Sequence, residues 1–171
     1  MEFNNGIFTL LNSSFWKRKT LMQLTLQTDY AIRILLYAQR NDERLVNITE
    51  ISDFHQISRN HVAKVVASLT QRGYLQGVRG KGGGLRLSQA PQNINLGVLV
   101  ETFEPLEIVE CFGSKNTCMI TSQCKLKKAL HEAKQAFLDV LKTYTLEDIQ
   151  LNSVDTFSAL KPFAKVKITP Q

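Results

Sequence analysis

Between residues 58 and 88 a helical stripe gives way, with no linker, to two strand-like runs joined by a glycine-rich turn. Val62, Val65, Val66 and Leu69 recur at i, i+3, i+4 and i+7, which makes one apolar face of a helix. Ser58 is a suitable N-cap for that helix, and Gly73 suits the left-handed position that would end it. Tyr74-Leu75-Gln76-Gly77-Val78 and Leu85-Arg86-Leu87-Ser88 read as strands, with Arg79-Gly80-Lys81-Gly82-Gly83-Gly84 between them. A nucleotide-phosphate loop is excluded here. The spacing from Gly77 to Lys81 is wrong, no Ser or Thr follows the lysine, and no helix starts there.

The segment before the stripe is helical as well. Ala31, Ile34, Leu35 and Ala38 predict a helix over residues 28–39. Asn47 opens a short helix, with Glu50 in capping-box register and Ile51 and Phe54 as its expected buried face. A long helix followed by two short ones is a helix-turn-helix arrangement, and a hairpin placed directly after it is a wing. The fold class is therefore mainly α with a small β-hairpin: a winged helix-turn-helix.

Left off the third helix's stripe are Arg59, Asn60, His61 and Lys64, which together with Ser58 cluster at its N-terminal end. Such side chains serve base edges and phosphates, and that end of a recognition helix enters the major groove. Arg79, Lys81 and Arg86 supply charge on the hairpin, while Gly82 and Gly83 allow close approach to a phosphate backbone or a narrow minor groove. Net charge is +6. Residues 22–92 carry nine basic against five acidic side chains, and residues 93–171 carry nine of each. The basic excess coincides with the winged unit, as a polyanionic partner requires. Double-stranded DNA is the expected partner.

Pro91 marks the boundary of this unit. A short helix is expected over residues 96–103, an irregular stretch over 104–123, and a long helix from Cys124 to about Tyr144. The stripe of that last helix is Leu126, Leu130, Ala133, Phe137, Val140, Leu141 and Tyr144. Pairing with its copy would bury it, so a homodimer is expected. The expected division is residues 22–92 for DNA binding, 93–151 for the cysteine loop and dimerisation helix, and 152–171 for a weakly ordered tail. Residues 1–21 are expected to be a disordered extension, or to lie upstream of a functional start at Met22. Their short apolar run precedes Lys17-Arg18-Lys19, the reverse of a secretory signal, and no run is long enough to span a membrane. The expected location is cytoplasmic.

All three cysteines, Cys111, Cys118 and Cys124, fall within 14 residues. An odd number without an export signal argues against structural disulfides. Thiolates select iron–sulfur clusters, zinc or copper(I), and the close pair usual in structural zinc sites is missing. Wide spacing over small polar residues lets a loop wrap a larger body, with backbone N–H groups free to bond its sulfides. Cys124 at a helix start favours a thiolate. Lys125, Lys127 and Lys128 would repel that helix end unless an anion sat beside them. A 2Fe-2S and a 4Fe-4S cluster both remain open. The fourth ligand is equally open: water, a small thiol, or a carboxylate among Glu107, Glu110 and Asp29. A zinc-stabilised winged helix is the rival binding module. No acid–base or nucleophile constellation points to an enzyme.

Met22-Gln23-Leu24-Thr25, Thr28-Asp29-Tyr30-Ala31, Ser58-Arg59-Asn60-His61, Gly80-Lys81-Gly82-Gly83-Gly84-Leu85 and the three cysteines ending in Cys124-Lys125-Leu126 resemble one family. It is the Rrf-type iron–sulfur winged-helix regulators, and within it the nitric-oxide-sensing branch, from Met22 to about Leu151. The resemblance implies a homodimeric repressor on a two-fold symmetric operator, released when nitric oxide nitrosylates the cluster. It implies that the partner subunit's Asp29 completes the cluster. In the sister branch, which regulates cluster assembly, a histidine closely follows the third cysteine. Here Lys125, Leu126 and Lys127 follow, and the nearest histidine is His131.

Overall fold

The computed structural model describes residues 23–150. The expectations for residues 1–21, for Met22 and for the tail from 152 lie outside them. Five helices and one hairpin follow in the order α1 (Leu26–Arg40), α2 (Ile48–His55), α3 (Arg59–Gln71), β1 (Leu75–Val78), β2 (Gly84–Leu87), α4 (Leu96–Phe103) and α5 (Lys125–Lys142). Short 3-10 turns punctuate the second half. The winged helix-turn-helix expected from the sequence is present.

Local chemistry fixes the ends of these helices. Thr25 caps α1 by accepting from the Thr28 N–H, and Ala31, Ile34, Leu35 and Ala38 turn inward. Asn47 and Glu50 complete the expected capping box at α2, each side chain accepting from the other residue's backbone N–H. Phe54 departs from expectation. It is 42% exposed and stacks on Tyr37 with ring centroids 4.9 Å apart, while Ile51 and Ser52 take the buried positions on α2. The short α2 turns Ile51 and Ser52 inward and leaves Phe54 at its rim. α3 ends as a Schellman motif. Gly73 sits at φ 77°, the Tyr74 N–H donates to the Leu69 carbonyl, and the Gly73 N–H donates to the Thr70 carbonyl. Tyr74 and Leu69 are both buried, which fastens the helix end to the start of β1.

β1 and β2 pair antiparallel, with Leu75 opposite Leu87 and Gln76 opposite Arg86. Val46, between α1 and α2, adds a single bridge to Leu85: its N–H donates to the Leu85 carbonyl at 3.0 Å, and Leu85 returns the bond at 2.7 Å. A Cβ at Gly84 would lie 2.7 Å from the Val46 carbonyl oxygen, so only glycine allows that approach. The wing is thereby sewn to the helix pair.

One core joins α1–α3 and the wing to the second half. Ile94, Leu99, Phe103 and Leu146 pack with Ile34, Leu35, Ile51, Val62 and Leu69. The chain returns beside α4 through the Asn95–Thr145 bridge, with the Leu146 N–H donating to Ile94 at 2.8 Å. α4 crosses α5 at Gly97, where a Cβ would stand 2.8 Å from the Lys142 nitrogen and 3.0 Å from the Leu138 carbonyl oxygen. The expected stripe of α5 divides in two. Leu130, Phe137 and Leu141 are half-buried, and Leu138, outside that stripe, is the helix's buried residue. Leu126, Ala129, Ala133, Ala136, Val140 and Tyr144 stay exposed, with Leu126 at 64% and Val140 at 59%.

Candidate functional site

The polar face of α3 points to solvent. Ser58 Oγ accepts from the His61 N–H at 3.4 Å, which anchors the first turn. Arg59, Asn60, His61 and Lys64 are all exposed, and among the described residues neither Arg59 nor Lys64 makes an ion pair. Donors without internal partners are free for an external acceptor. At the wing tip Gly80 and Gly82 take φ of 106° and 80°, and the Gly83 N–H closes the turn on the Gly80 carbonyl at 3.0 Å. A Cβ at Gly83 would fall 2.3 Å from the Val78 carbonyl oxygen. Arg79 and Lys81 are exposed on this turn. Arg86 is held on the hairpin: its Nε and Nη2 donate to Gln76 Oε1 at 3.4 and 3.3 Å. Gln76 did not emerge from the sequence, although strand register alone would have placed it opposite Arg86.

Cys111 and Cys124 converge on one open trough of about 940 Å³. Cys111 sits in the turn Glu110–Phe112, and Cys124 is the N-cap of α5, its Sγ accepting from the Lys127 N–H at 3.4 Å. Phe112, Lys127, Lys128, His131, Glu132 and Lys134 line the same trough. The last five follow Cys124 at helical spacing, a signal the sequence offered. Cys118 is exposed and does not line the trough, and among the described residues no three His, Cys, Asp or Glu side chains are gathered at metal-binding range. The donor chemistry nevertheless fits an anionic thiolate-bound cluster. Two soft donors face one space under a helix N-terminus, beside three lysines and one carboxylate, and a third thiol lies six residues before Cys124 on the same loop.

The candidate carboxylates each have an occupation. Asp29, in the first turn of α1, pairs with Arg33 at 2.8 Å and does not line its own chain's trough. Glu107 lies against Gly113, where a Cβ would stand 2.9 Å from its Oε2. Glu110 accepts from Thr117, whose hydroxyl and then backbone N–H hold the carboxyl below its ordinary range. At the end of α2, burial first and the Arg33 charge second keep His55 below the usual imidazole value.

Among the described residues no helix is long and apolar enough to cross a membrane. Residues 24–152 match the family described as "Rrf2: Iron-dependent Transcriptional regulator". The chain is 46% identical over 134 residues to the HTH-type transcriptional regulator NsrR of Bacillus licheniformis, covering 77% of this chain and 94% of that one. Against the regulator of the same name from Shouchella clausii it is 41% identical, covering 88% of this chain and all of the relative. Among solved structures, T. potens IscR superposes with a TM-score of 0.60 at 21% identity, over 74% of this chain and 85% of that one, a likeness of fold. The chain thus belongs to the Rrf2 family of transcriptional regulators, and within it to the NsrR type.

Proposed function

We propose that this chain is a homodimeric, cytoplasmic DNA-binding repressor whose hold on a two-fold symmetric operator is set by an iron–sulfur cluster and released by nitric oxide. The observation that carries the reading is the placement of Cys111 and Cys124 on one cation-lined trough at the root of α5. In this reading Cys111, Cys118 and Cys124 hold the cluster, 2Fe-2S or 4Fe-4S, with the partner subunit's Asp29 as the fourth ligand. When bound, the cluster supplies iron that reacts with nitric oxide. The chain's own contribution is to bind and to position. The Lys127 N–H steadies the Cys124 thiolate, and Lys127, Lys128 and Lys134 offset the charge of an anionic guest.

The DNA contacts follow from the exposed donors. Ser58, Arg59, Asn60, His61 and Lys64 address the major groove, and Arg79, Lys81, Gly82, Gly83 and Arg86 meet phosphates or the adjacent minor groove. Leu126, Ala129, Ala133, Ala136 and Val140 alternate at three and four residues along α5, the spacing of a seam between paired helices. Because Val46 ties the wing to the helix pair, release acts on the separation of the two recognition helices, about 34 Å for adjacent major grooves.

The test is a visible spectrum with iron, sulfide and zinc content on anaerobically purified protein, before and after a nitric oxide donor. It is paired with binding to a duplex selected by the loaded protein at one salt concentration. Iron and sulfide with weaker binding after the donor are expected. Zinc alone, or equal affinity of loaded and cluster-free protein, would overturn the sensor reading. Lys81→Ala should weaken binding to all sequences alike and reduce the salt slope by about one. An unchanged slope would remove the wing from the interface.

A further inference from the structure

One carboxylate closes the loop between the first two cysteines. Glu110 Oε1 accepts from the Thr117 backbone N–H at 2.9 Å and from Thr117 Oγ1 at 2.6 Å. Glu110 immediately precedes Cys111, and Thr117 immediately precedes Cys118. The clasp therefore joins the residues that launch the two thiols. Cys118 is framed further. Its N–H donates to Asn116 Oδ1 at 3.0 Å, and its carbonyl accepts from Thr121 Oγ1 at 2.6 Å. Asn116 Nδ2 meets the same Thr121 hydroxyl at 2.9 Å. These bonds lie in an exposed stretch outside any α-helix or strand, where free chain would sample many conformations.

We infer that Glu110 is a positioning residue for the cysteine site: its grip on Thr117 sets the reach between Cys111 and Cys118 before any cluster is present. The inference rests on the cluster-ligand reading of the cysteines given above. Glu110 acts through the loop and not as a ligand: its Oε1 takes both Thr117 bonds, and it does not line the trough that Cys111 and Cys124 share. A loop closed in advance loses less freedom when it binds its guest. Outer partners of this kind typically account for a 10–100-fold difference in metal affinity.

The test uses the full chain as wild type, Glu110→Ala and Glu110→Gln. The glutamine carbonyl can accept the same two bonds, and alanine cannot. In cluster-free protein, amide hydrogen exchange at Thr117 should be roughly fivefold faster in Glu110→Ala and within about twofold of wild type in Glu110→Gln. After reconstitution with iron and sulfide, visible absorbance under a chelator should decay about tenfold faster in Glu110→Ala, with Glu110→Gln close to wild type. Thr117→Val, which keeps the N–H bond, should fall between them and stands in if the alanine variant fails to fold. Wild-type behaviour of Glu110→Ala in both assays overturns the clasp. Cluster loss from Glu110→Gln as fast as from Glu110→Ala overturns it too, by assigning the effect to charge. A wild type that takes up no cluster sinks the ligand reading, while the exchange measurement still judges the clasp.

Discussion

α3 and α5 are both amphipathic, yet their own chain answers them differently. α3 turns Val62, Val65, Val66 and Leu69 into the core, none of them more than 6% exposed. α5 has 18 residues to the 13 of α3, and Leu138 is its one buried side chain. The contrast continues around each helix. Capping box, Schellman motif and bridge satisfy the backbone near α3, whereas Met119, before α5, is 98% exposed. A pattern of apolar spacing states that a face must be covered. It does not state whether the same chain supplies the cover. In the proposed dimer the second copy supplies it for α5.

The largest expected effect lies on the closed side. Leu69→Ala should cost about 2–5 kcal/mol, read by urea unfolding, because it empties a fully buried position. A loss under ~1 kcal/mol would mean that the α3 core is looser than its burial implies. At the junction of the two regions, Gly97→Ala should cost about 1–3 kcal/mol in thermal unfolding, since the new methyl meets the backbone of α5. Unaltered stability would show the α4–α5 contact to be readily deformed. A smaller effect belongs to His55, whose proton affinity burial lowers in the folded chain. The unfolded chain then holds that proton more readily, so stability falls as pH drops below about 6.5 and levels once the folded form is protonated as well. Wild type should lose more stability than His55→Gln between about pH 8 and about pH 5, and parallel curves would discard the assignment. The smallest effect is predicted for Leu126→Ala: within about 0.5 kcal/mol in dilute protein. Sedimentation should then show weakened self-association. If the monomer itself were strongly destabilised, the comparison between the helices would collapse.

What the sequence made legible was local. The capping box at Asn47 and Glu50, the end of α3 at Gly73, the stripe of α3 and the glycine turn of the wing depend on neighbours within about one turn, and each is found as expected. The polar face of α3 was legible for the same reason. Contacts decided by tertiary distance were not. Phe54 fits an inward period but stacks on Tyr37 from another helix. Leu138 lies off the stripe assigned to α5, because α4 approaches along a neighbouring face. At the cysteines, spacing placed all three thiols on one loop but could not tell that Cys111 and Cys124 share a trough that Cys118 does not line. The Glu110–Thr117 pair spans an irregular segment, where no periodicity announces a partner seven residues away.

Gly97 gives α5 a mechanical character. The helix is seated against α4 near Leu138 and Lys142, while Cys124 stands at its opposite end. With a rise of about 1.5 Å per residue, that end lies about 21 Å along the rod from Leu138. A tilt of about 5° at the seat would sweep the thiol by about 2 Å, comparable with the length of a metal–sulfur bond. Leverage runs both ways along such a rod. In the proposed sensor, a change of bonding at Cys124 would reach the seat as a small rotation, and the missing side chain at position 97 is what lets α4 and α5 approach so closely there.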